Sequence, residues 1–238
     1  MIVYGRNPVR EALRGRRADS LGAVWATAGA ARERFLDGVR VRHADAEELE
    51  RRCGSAAHQG ICAEVGPYPY ARADELLGGE SPFLVALDQI QDPQNLGSIC
   101  RTAECAGCDG VVIPERRAAE VTPAACKASA GAVEHLPVAR VRNIADFLAE
   151  AKRAGCWCYG ASAPGGGRDS VPYDQPDYAG AGVVLVLGSE GAGLRPRVAG
   201  ACDELIGLPL RGRVESLGVS AAASALLYEI LQSRGRCS

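Results

Sequence analysis

The sequence predicts an α/β protein in which a small alternating module precedes a larger parallel sheet wrapped by helices. Short continuous apolar runs, such as 183–187, alternate with segments of helical periodicity, and such runs are typical of strands covered on both faces. The segment 66–82 contains three prolines and three glycines, a composition typical of a connection between domains. We therefore predict one domain over 1–66, a linker over 67–81 and a second domain over 82–238.

In the first domain, Asn7 followed by Pro8 is the pattern of an N-cap with proline at the first helical position, so we expect a short helix near the start of the chain. Strands and helices then alternate in the prediction. The predicted strands are 21–27, 39–41 and 61–65, and the predicted helices are 30–36 and 46–53.

In the second domain, apolar runs predict strands, and segments with helical spacing predict the helices among them. The predicted strands are 83–87, 110–113, 138–141, 156–161, 183–187 and 205–208, and the predicted helices are 95–106, 123–130 after a Thr122 cap, 144–154 and 220–232. In sheets of this kind ligands bind at the carboxyl ends of the strands. The loops that follow strands are therefore the places where chemistry is expected.

The composition excludes several classes of protein. Hydrophobic residues make up 47% of the 238 residues and charged residues 24%, so the chain can form a packed core and is not a disordered tail. Its apolar runs fall far short of the ~18 to 20 residues that a membrane span needs. The first residues lack the long apolar core of a secretory signal. We expect a cytoplasmic protein with no membrane partner.

The ten cysteines are expected to be reduced thiols, because disulfides are rare in the cytoplasm. Cys105 and Cys108 form a CxxC pair, and Cys156 and Cys158 form a CxC pair. Neither pair has a second CxxC or a nearby histidine to complete a tetrahedral zinc site. We therefore expect small buried side chains and no metal.

The basic residues are almost all arginine, with 25 arginines against only Lys127 and Lys152. Arginine binds phosphate through its planar fork and stacks on bases, although a GC-rich genome also enriches it. Residues 1–70 carry 11 basic and 9 acidic groups, whereas residues 81–238 carry 15 and 17. Only the N-terminal part is net positive.

The loop after the predicted strand 83–87 leads into a helix that carries Asn95 and Arg101. Six residues at about 100° each put two side chains on different faces of a regular helix. We expect Asn95 at or near the N-cap and Arg101 nearly two turns inside the helix. By themselves these residues would be a helix cap and a solvated cation, so a functional role depends on the other loops.

The loop after the predicted strand 183–187 places Gly188, Gly191 and Gly193 around the carboxylate of Glu190. Glycines let the backbone approach a ligand closely, and their amides can hold an anion or a nucleoside. The spacing is GxxGxG, so it is not the dinucleotide fingerprint GxGxxG, and no phosphate-loop GK[ST] occurs in the chain. A plain glycine turn would also explain this segment.

The third loop precedes the final helix and contains Arg211, Arg213 and Ser216. The helix then begins with a run of small residues over 221–225. Small side chains on several faces indicate that another backbone packs very close. A tightly packed helix or a subunit interface would produce the same pattern.

Together the three loops resemble the SpoU-type RNA ribose 2′-O-methyltransferases of the SPOUT superfamily. A segment of the first domain resembles the ribosomal protein L30e-like RNA-binding domain that precedes the catalytic domain in the 23S rRNA guanosine branch. The first motif matches at 92–97 with 101–103, the second at 187–191 and the third at 209–228. A further familial match is 127–132 with 136–137, and the N-terminal matches are 4–9 and 58–61.

The resemblance implies a C-terminal SPOUT α/β domain with a parallel sheet and a trefoil knot, an exception to the rule that chains are unknotted. It implies S-adenosylmethionine as cofactor, structured RNA as substrate, and a homodimer whose active site is completed across the interface. The implied catalytic residues are Asn95, Arg101, Glu190 and Ser216. The implied cofactor-binding residues are Leu187, Gly188, Gly191, Leu208, Leu210 and Leu217.

The implied reaction is methyl transfer to a ribose 2′-hydroxyl, with a guanosine in 23S rRNA preferred over a tRNA ribose. Arg101 is the proposed base of the family, but a guanidinium with a pKa above ~12 is a poor base. We interpret Arg101 as gripping a phosphate and orienting the hydroxyl. Gly218 stands where the family usually has asparagine, and this departure leaves open a catalytically weakened RNA-binding factor in ribosome assembly.

Three further residues have open interpretations. His58 is assigned at most a contact with RNA. Tyr68 and Tyr70 in the linker either stack on bases or pin the linker to a domain surface.

Overall fold

The computed structural model describes residues 1–162, 170–214 and 216–235, which form two β-sheets. The N-terminal elements are β1 (Ile2–Tyr4), α1 (Arg6–Ala12), β2 (Val24–Ala26), β3 (Val41–His43), α2 (Ala46–Cys53), β4 (Ile61–Glu64) and α3 (Ala73–Leu76). The C-terminal elements are β5 (Phe83–Asp88), α4 (Pro93–Cys105), β6 (Gly110–Pro114), α5 (Pro123–Ala128), β7 (Val138–Val141), α6 (Ile144–Arg153), β8 (Cys156–Ser162), β9 (Val171–Pro172), β10 (Gly182–Gly188), α7 (Pro196–Ala201), β11 (Glu204–Gly207) and α8 (Val219–Gly235).

The first sheet has four strands in the order β1-β4-β2-β3. The strand β4 pairs antiparallel with both β1 and β2, whereas β2 and β3 are parallel. These strands are three or four residues long, so the sheet depends on packing against its helices and against the rest of the chain.

The second sheet has seven strands in the order β7-β6-β5-β10-β8-β11-β9, and every pairing in it is parallel. The strand β10 comes late in the chain but lies between β5 and β8. Its register pairs Gly188 with Asp88, so the carboxyl ends of β5 and β10 are neighbours. This adjacency brings together two loops that are about a hundred residues apart in the sequence. The predicted α/β fold with a parallel sheet is confirmed.

The helices cover both faces of the seven-stranded sheet. One apolar cluster contains residues of α4, α5 and α8, and the cluster on the other face contains residues of α6 and α7. The helices α4 and α5 cross very closely at Gly97, where an added Cβ would lie 2.5 Å from the Cβ of Ala128 and 2.6 Å from the carbonyl oxygen of Ala125. This crossing ties α5 to the first half of α4.

Three predictions for the N-terminal region were wrong in detail. The first helix begins at Arg6 with Gly5 as its N-cap, so Asn7 is not the cap and Pro8 is the third helical residue. Proline is still tolerated there, because the first-turn amides have no partner within the helix. The strand β1 was missed because only three residues form it. The predicted helix 30–36 is two separate 3₁₀ turns, since Glu33 between them is extended.

In the linker and the C-terminal region the structure adds short elements that the sequence did not predict. These are α3 inside the predicted linker, the two-residue strand β9 and the helix α7. The remaining predicted strands and helices are present with ends that differ by a few residues. Proline at the first position of α7 follows the N-cap Arg195, but the helix is only six residues long and gave no visible periodicity.

The two sheets are held together by a continuous core and by a buried ion pair. A single apolar cluster contains Val3 and Ile61 from the first sheet together with Val85 from the second sheet and Ile99 from α4. Beside it, Arg17 donates from Nε to Oε2 of Glu134 at 3.0 Å and from Nη2 to the other carboxylate oxygen, and both side chains are 1% exposed. The N-terminal region is therefore packed against the second sheet.

The predicted linker also contacts the second sheet. The hydroxyl of Tyr68 is within hydrogen-bonding distance of the carbonyl oxygens of Val133 and Leu136, at 3.0 and 3.1 Å. The hydroxyl of Tyr70 accepts from the backbone amide of Val121 at 3.0 Å. Of the two interpretations given to these tyrosines, pinning of the linker is the one that the structure confirms.

The thiols in the described part of the chain are free, and most of them are buried. Burial raises the pKa of Cys100 to about 12 and that of Cys126 to about 11, so both stay protonated at neutral pH. No group of three or more metal-ligating side chains occurs among the described residues. Within the same residues, no helix combines the length and apolar character needed to cross a lipid bilayer.

Candidate active site

A cleft of about 640 Å³ lies at the carboxyl ends of β10 and β11. Its walls are the end of β10, the glycine loop that follows it, the segment after β11, and the start of α8. Eight of the ten residues singled out in the sequence line it. They are Leu187, Gly188, Glu190, Gly191, Leu208, Leu210, Ser216 and Leu217.

The glycine loop folds back on the end of β10. The amide of Ser189 donates to the carbonyl of Gly193 at 3.1 Å, and the amide of Gly193 donates back to Ser189 at 2.9 Å. A Cβ added to Gly188 would lie 2.1 Å from the carbonyl carbon of Gly193 and 2.4 Å from the amide nitrogen of Leu194. Only glycine fits at this position, because any side chain would overlap backbone atoms.

Asn95 joins the first loop to the second. Asp92 caps α4 by accepting from the amide of Gln94 at 2.9 Å, and Asn95 is the third helical residue, so it lies near the N-cap as expected but is not the cap itself. From there, its side-chain amide donates to Oε1 of Glu190 at 3.0 Å. The residues are 95 positions apart in sequence, and they meet because β5 and β10 are adjacent.

Arg101 lies outside this cleft. It is an exposed residue on α4, and no hydrogen bond or salt bridge to its guanidinium occurs within the described part of the chain. Asn95 and Arg101 are both helical and six residues apart, so their side chains point about 120° apart around α4. The cleft of one chain is therefore built without Arg101.

Ser216 organises the loop that leads into α8. Its hydroxyl accepts from the amide of Gly218 at 3.1 Å, and the carbonyl of Gly218 accepts from the amide of Ala222 at 3.0 Å. Gly218 has a φ of +76° and open space where a side chain would project. Glycine and asparagine are the residues that best tolerate this left-handed conformation. Backbone geometry thus explains why glycine can stand where the family usually has asparagine.

The sequence analysis missed the Asp88–Arg195 pair. Asp88, fully buried at the end of β5, accepts from the Nε of Arg195 at 2.8 Å and from its backbone amide at 2.9 Å. Arg195 follows the glycine loop, so the carboxylate anchors that loop to the sheet. A charged residue directly after an apolar strand was the signal that could have identified Asp88.

His58 has a structural contact. It is 8% exposed, and its Nδ1 accepts from the backbone amide of Gly60 at 3.0 Å. The histidine therefore holds the turn before β4, and the suggested contact with RNA stays a prediction.

Comparisons with known proteins agree with this architecture. Residues 82–228 match the model of the SpoU rRNA methylase family, and residues 2–71 match a model described as RNA 2′-O ribose methyltransferase substrate binding. A Bacillus subtilis protein, YacO, named as a TrmH family tRNA/rRNA methyltransferase, is 38% identical over 246 residues, which cover 98% of this chain and 95% of that protein.

Two solved structures are similar over nearly the whole chain. An rRNA methyltransferase from Sinorhizobium meliloti, crystallised with AdoMet bound, has a TM-score of 0.79 and 26% identity, with 97% of this chain and 86% of that chain covered. The SpoU methyltransferase AviRb from Streptomyces viridochromogenes, in complex with AdoMet, has a TM-score of 0.78 and 25% identity, with 100% and 91% covered.

Fold, cleft and comparisons define the class of protein as an RNA methyltransferase with an N-terminal substrate-binding region. The chain belongs to the SpoU rRNA methylase family.

Proposed function

We propose that this protein transfers a methyl group from S-adenosylmethionine to a ribose 2′-hydroxyl of RNA, and that a guanosine of 23S rRNA is the target. The observation that carries the proposal is that the second and third motif loops line one cleft, and that Asn95 of the first is hydrogen-bonded to Glu190 of the second at 3.0 Å. Convergence from separate parts of the sequence is typical of a site at strand ends. We expect the protein to act in the cytoplasm.

The cleft has the size and the lining that the cofactor needs. Its volume suits a nucleoside-sized ligand, and it combines apolar side chains with backbone atoms of a glycine loop. Leu187, Leu208, Leu210 and Leu217 would contact the cofactor's apolar surfaces, and the backbone at Gly188 and Gly191 would supply its polar contacts. S-adenosylmethionine, when bound, supplies a methyl group on a sulfonium.

A homodimer would supply the missing arginine, and an exposed face of α8 supports this proposal. Ala221, Ala225 and Tyr228 are exposed at spacings of four and three residues, which puts them on one side of the helix. The hydroxyls of Thr102 and Ser224 lie 3.1 Å apart, so α8 packs beside Arg101. A second copy seated on this face would bring the partner subunit's Arg101 to the cleft.

In that arrangement Arg101 orients the substrate. A guanidinium binds phosphate through two parallel hydrogen bonds, which would fix the ribose next to it. Asn95 and Glu190, already bonded to each other, would border the 2′-hydroxyl together with Ser216. Loss of the hydroxyl proton then occurs late in the transfer or through water, since an arginine is a poor base.

Two structural assignments accompany this proposal. We propose that 1–66 and 82–238 act as an RNA-binding and a catalytic domain joined by 67–81. We also propose that the segment after β11 passes through a loop of the second domain to form a trefoil knot, as the family resemblance implies.

Incubation with radiolabelled S-adenosylmethionine and total bacterial RNA tests the function directly. We expect label in 23S rRNA, and mapping of the labelled nucleotide should identify a 2′-O-methylguanosine. Label confined to tRNA would contradict rRNA as the target but would still support methyl transfer to RNA. Binding of rRNA without methyl transfer would contradict the proposed enzymatic activity and would favour a role in ribosome assembly.

Replacing Gly188 with alanine should weaken cofactor binding about 10- to 100-fold, because overpacking against backbone costs ~1–3 kcal/mol. Titration calorimetry with S-adenosylmethionine measures the effect. Gly212→Ala is the matched control, since Gly212 also lines the cleft but has nothing within 4 Å of an added Cβ. Equal affinities of both variants for S-adenosylmethionine would show that cofactor binding does not depend on the folded-back loop.

Replacing Gly218 with asparagine should change cofactor affinity by less than about threefold, because glycine already adopts the positive φ that this position requires. Gly218→Ala should lower the free energy of unfolding by ~1 kcal/mol through backbone strain, and the asparagine variant by less. Calorimetry and urea denaturation check the two effects. A gain in affinity of tenfold or more for Gly218→Asn would mean that a side-chain contact has been lost in this protein.

A further inference from the structure

Lys127 is a cation in a crowded position between the two sheets. It lies at the end of α5 and is partly buried, and its ammonium is 5.9 Å from the centre of the Tyr4 ring. A Cβ added to Gly5 would lie 2.4 Å from its Nζ and 3.0 Å from Oε1 of Gln59. Two N-terminal segments that resemble an RNA-binding domain, 4–9 and 58–61, therefore meet the catalytic-domain segment 127–132 at this ammonium.

The carboxylates near this junction are each paired with another cation. Glu33 binds Arg6 at 3.0 Å, and Glu134 binds the buried Arg17. Glu11 binds both Arg10, at 2.6 Å, and His135, at 2.9 Å. Lys127 has no hydrogen bond or salt bridge among the described residues.

Lys127 is thus partly desolvated, with the Tyr4 ring and no carboxylate beside its ammonium among the described residues. Burial lowers the pKa of its ammonium, and no carboxylate counters that effect. Lysine is strongly hydrated, so a partly buried ammonium without a counter-ion is an unfavourable arrangement by itself. An anion that approaches the ammonium from solvent would compensate for this unfavourable desolvation.

Arginines line the solvent side of the junction, and two of them, Arg6 and Arg10, are each paired with a carboxylate. Arg6, Arg10 and Arg14 follow one another at four-residue spacing along α1 and just beyond it, so they share one side of the helix. Arg6 and Arg14 are exposed, and 41% of the Arg10 side chain is accessible. A polyanion could therefore contact this row of arginines and Lys127 together.

We infer that Lys127 and the arginine side of α1 form a phosphate-binding strip for the RNA backbone at the junction of the two domains. The inference rests on the proposed function, because RNA is the polyanion it invokes. The strip lies on the same side of the seven-stranded sheet as Arg101, since α5 crosses α4 at Gly97. Phosphates held there would fix how the RNA runs from the N-terminal region toward the cleft.

Filter binding of protein-free 23S rRNA to the full-length protein at several salt concentrations tests the inference. Lys127→Met keeps the length of the side chain and removes the charge. We expect it to weaken RNA binding about fivefold to tenfold at 0.1 M salt and to reduce the slope of log Kd against log salt by about 1. Lys127→Arg should retain both values, and the affinity for S-adenosylmethionine should be unchanged in both variants.

The only other lysine is the matched control. Lys152 lies on α6, on the opposite face of the sheet, and pairs with Asp203 at 2.8 Å. Lys152→Met should leave the salt slope unchanged. An unchanged slope in a folded Lys127→Met protein, or an equal change in both methionine variants, would overturn the inference while leaving the proposed function intact.

Thermal unfolding separates a folding defect from a lost contact. If Lys127→Met unfolds early, Lys127→Gln replaces it in the same titration, and wild-type binding by a folded Lys127→Gln protein overturns the inference. If the wild-type protein binds and methylates no RNA, the proposed function fails and the inference fails with it.

Discussion

Arg101→Ala is expected to lower methyl transfer about 10³-fold while leaving the Kd for S-adenosylmethionine within about twofold, because an arginine that grips phosphate acts on substrate geometry. The side chain is exposed and lies outside the cleft of its own chain, so its removal should not disturb the cofactor's walls. Single-turnover rates and calorimetry measure the two quantities. Arg153→Ala on α6 is the control, and retained turnover in Arg101→Ala would refute the assigned role.

The same variant tests whether Arg101 acts across a dimer. Heterodimers of Arg101→Ala with Gly188→Ala can be isolated by placing a different affinity tag on each chain. If the arginine serves the partner's cleft, one of the two sites is intact and about half of the wild-type activity should return. If it serves its own cleft, both sites are defective, and at an S-adenosylmethionine concentration near the wild-type Kd the heterodimer should keep about a tenth of the wild-type activity or less.

Glu134→Ala should lower the free energy of unfolding by ~3–5 kcal/mol, because it leaves the Arg17 guanidinium buried without a carboxylate to balance its charge. Urea denaturation measures the loss as a lower midpoint. Replacing both members, as Arg17→Met with Glu134→Met, should recover most of the stability, since apolar side chains of similar size can replace a buried ion pair.

An exposed salt bridge serves as the control for the buried one. The side chains of Arg72 and Asp74 are 73% and 64% exposed, so Arg72→Ala should change stability by less than ~1 kcal/mol. A loss from Glu134→Ala no larger than that from Arg72→Ala would mean that the interface between the two sheets does not depend on the ion pair.

Much of the fold could be read from local pattern. The strands of the second sheet are continuous apolar runs, and β5, β6, β7, β8, β10 and β11 were all found with small errors at their ends. Helices with a strong periodicity or a clear cap, such as α2, α5 and α6, were also predicted. The four missed elements, β1, β9, α3 and α7, are two to six residues long, and so few residues show a usable period only when other sequence signals support them.

The site was predicted as a set of residues but not as an arrangement. The resemblance of the motif loops to a known family implied ten site residues, and eight of them line one cleft. The contact between Asn95 and Glu190 depends on β10 lying beside β5, a strand order that no local pattern specifies. The exposure of Arg101 depends on which side of α4 packs on the sheet, and Asp88 was recognised only once its partner, Arg195, was located.

The sequence by itself determined the alternation of strands and helices, the three motif loops and the family they resemble, because these properties depend on residues close together in the chain. Only the tertiary structure decided which strands are neighbours, and that Arg17 and Glu134, 117 positions apart, form a buried ion pair. It also placed the ammonium of Lys127 beside Tyr4 and Gly5. Such relations depend on how distant segments exclude water and satisfy one another's charges. The spacing of residues along the chain determines neither the exclusion of water nor the pairing of these charges.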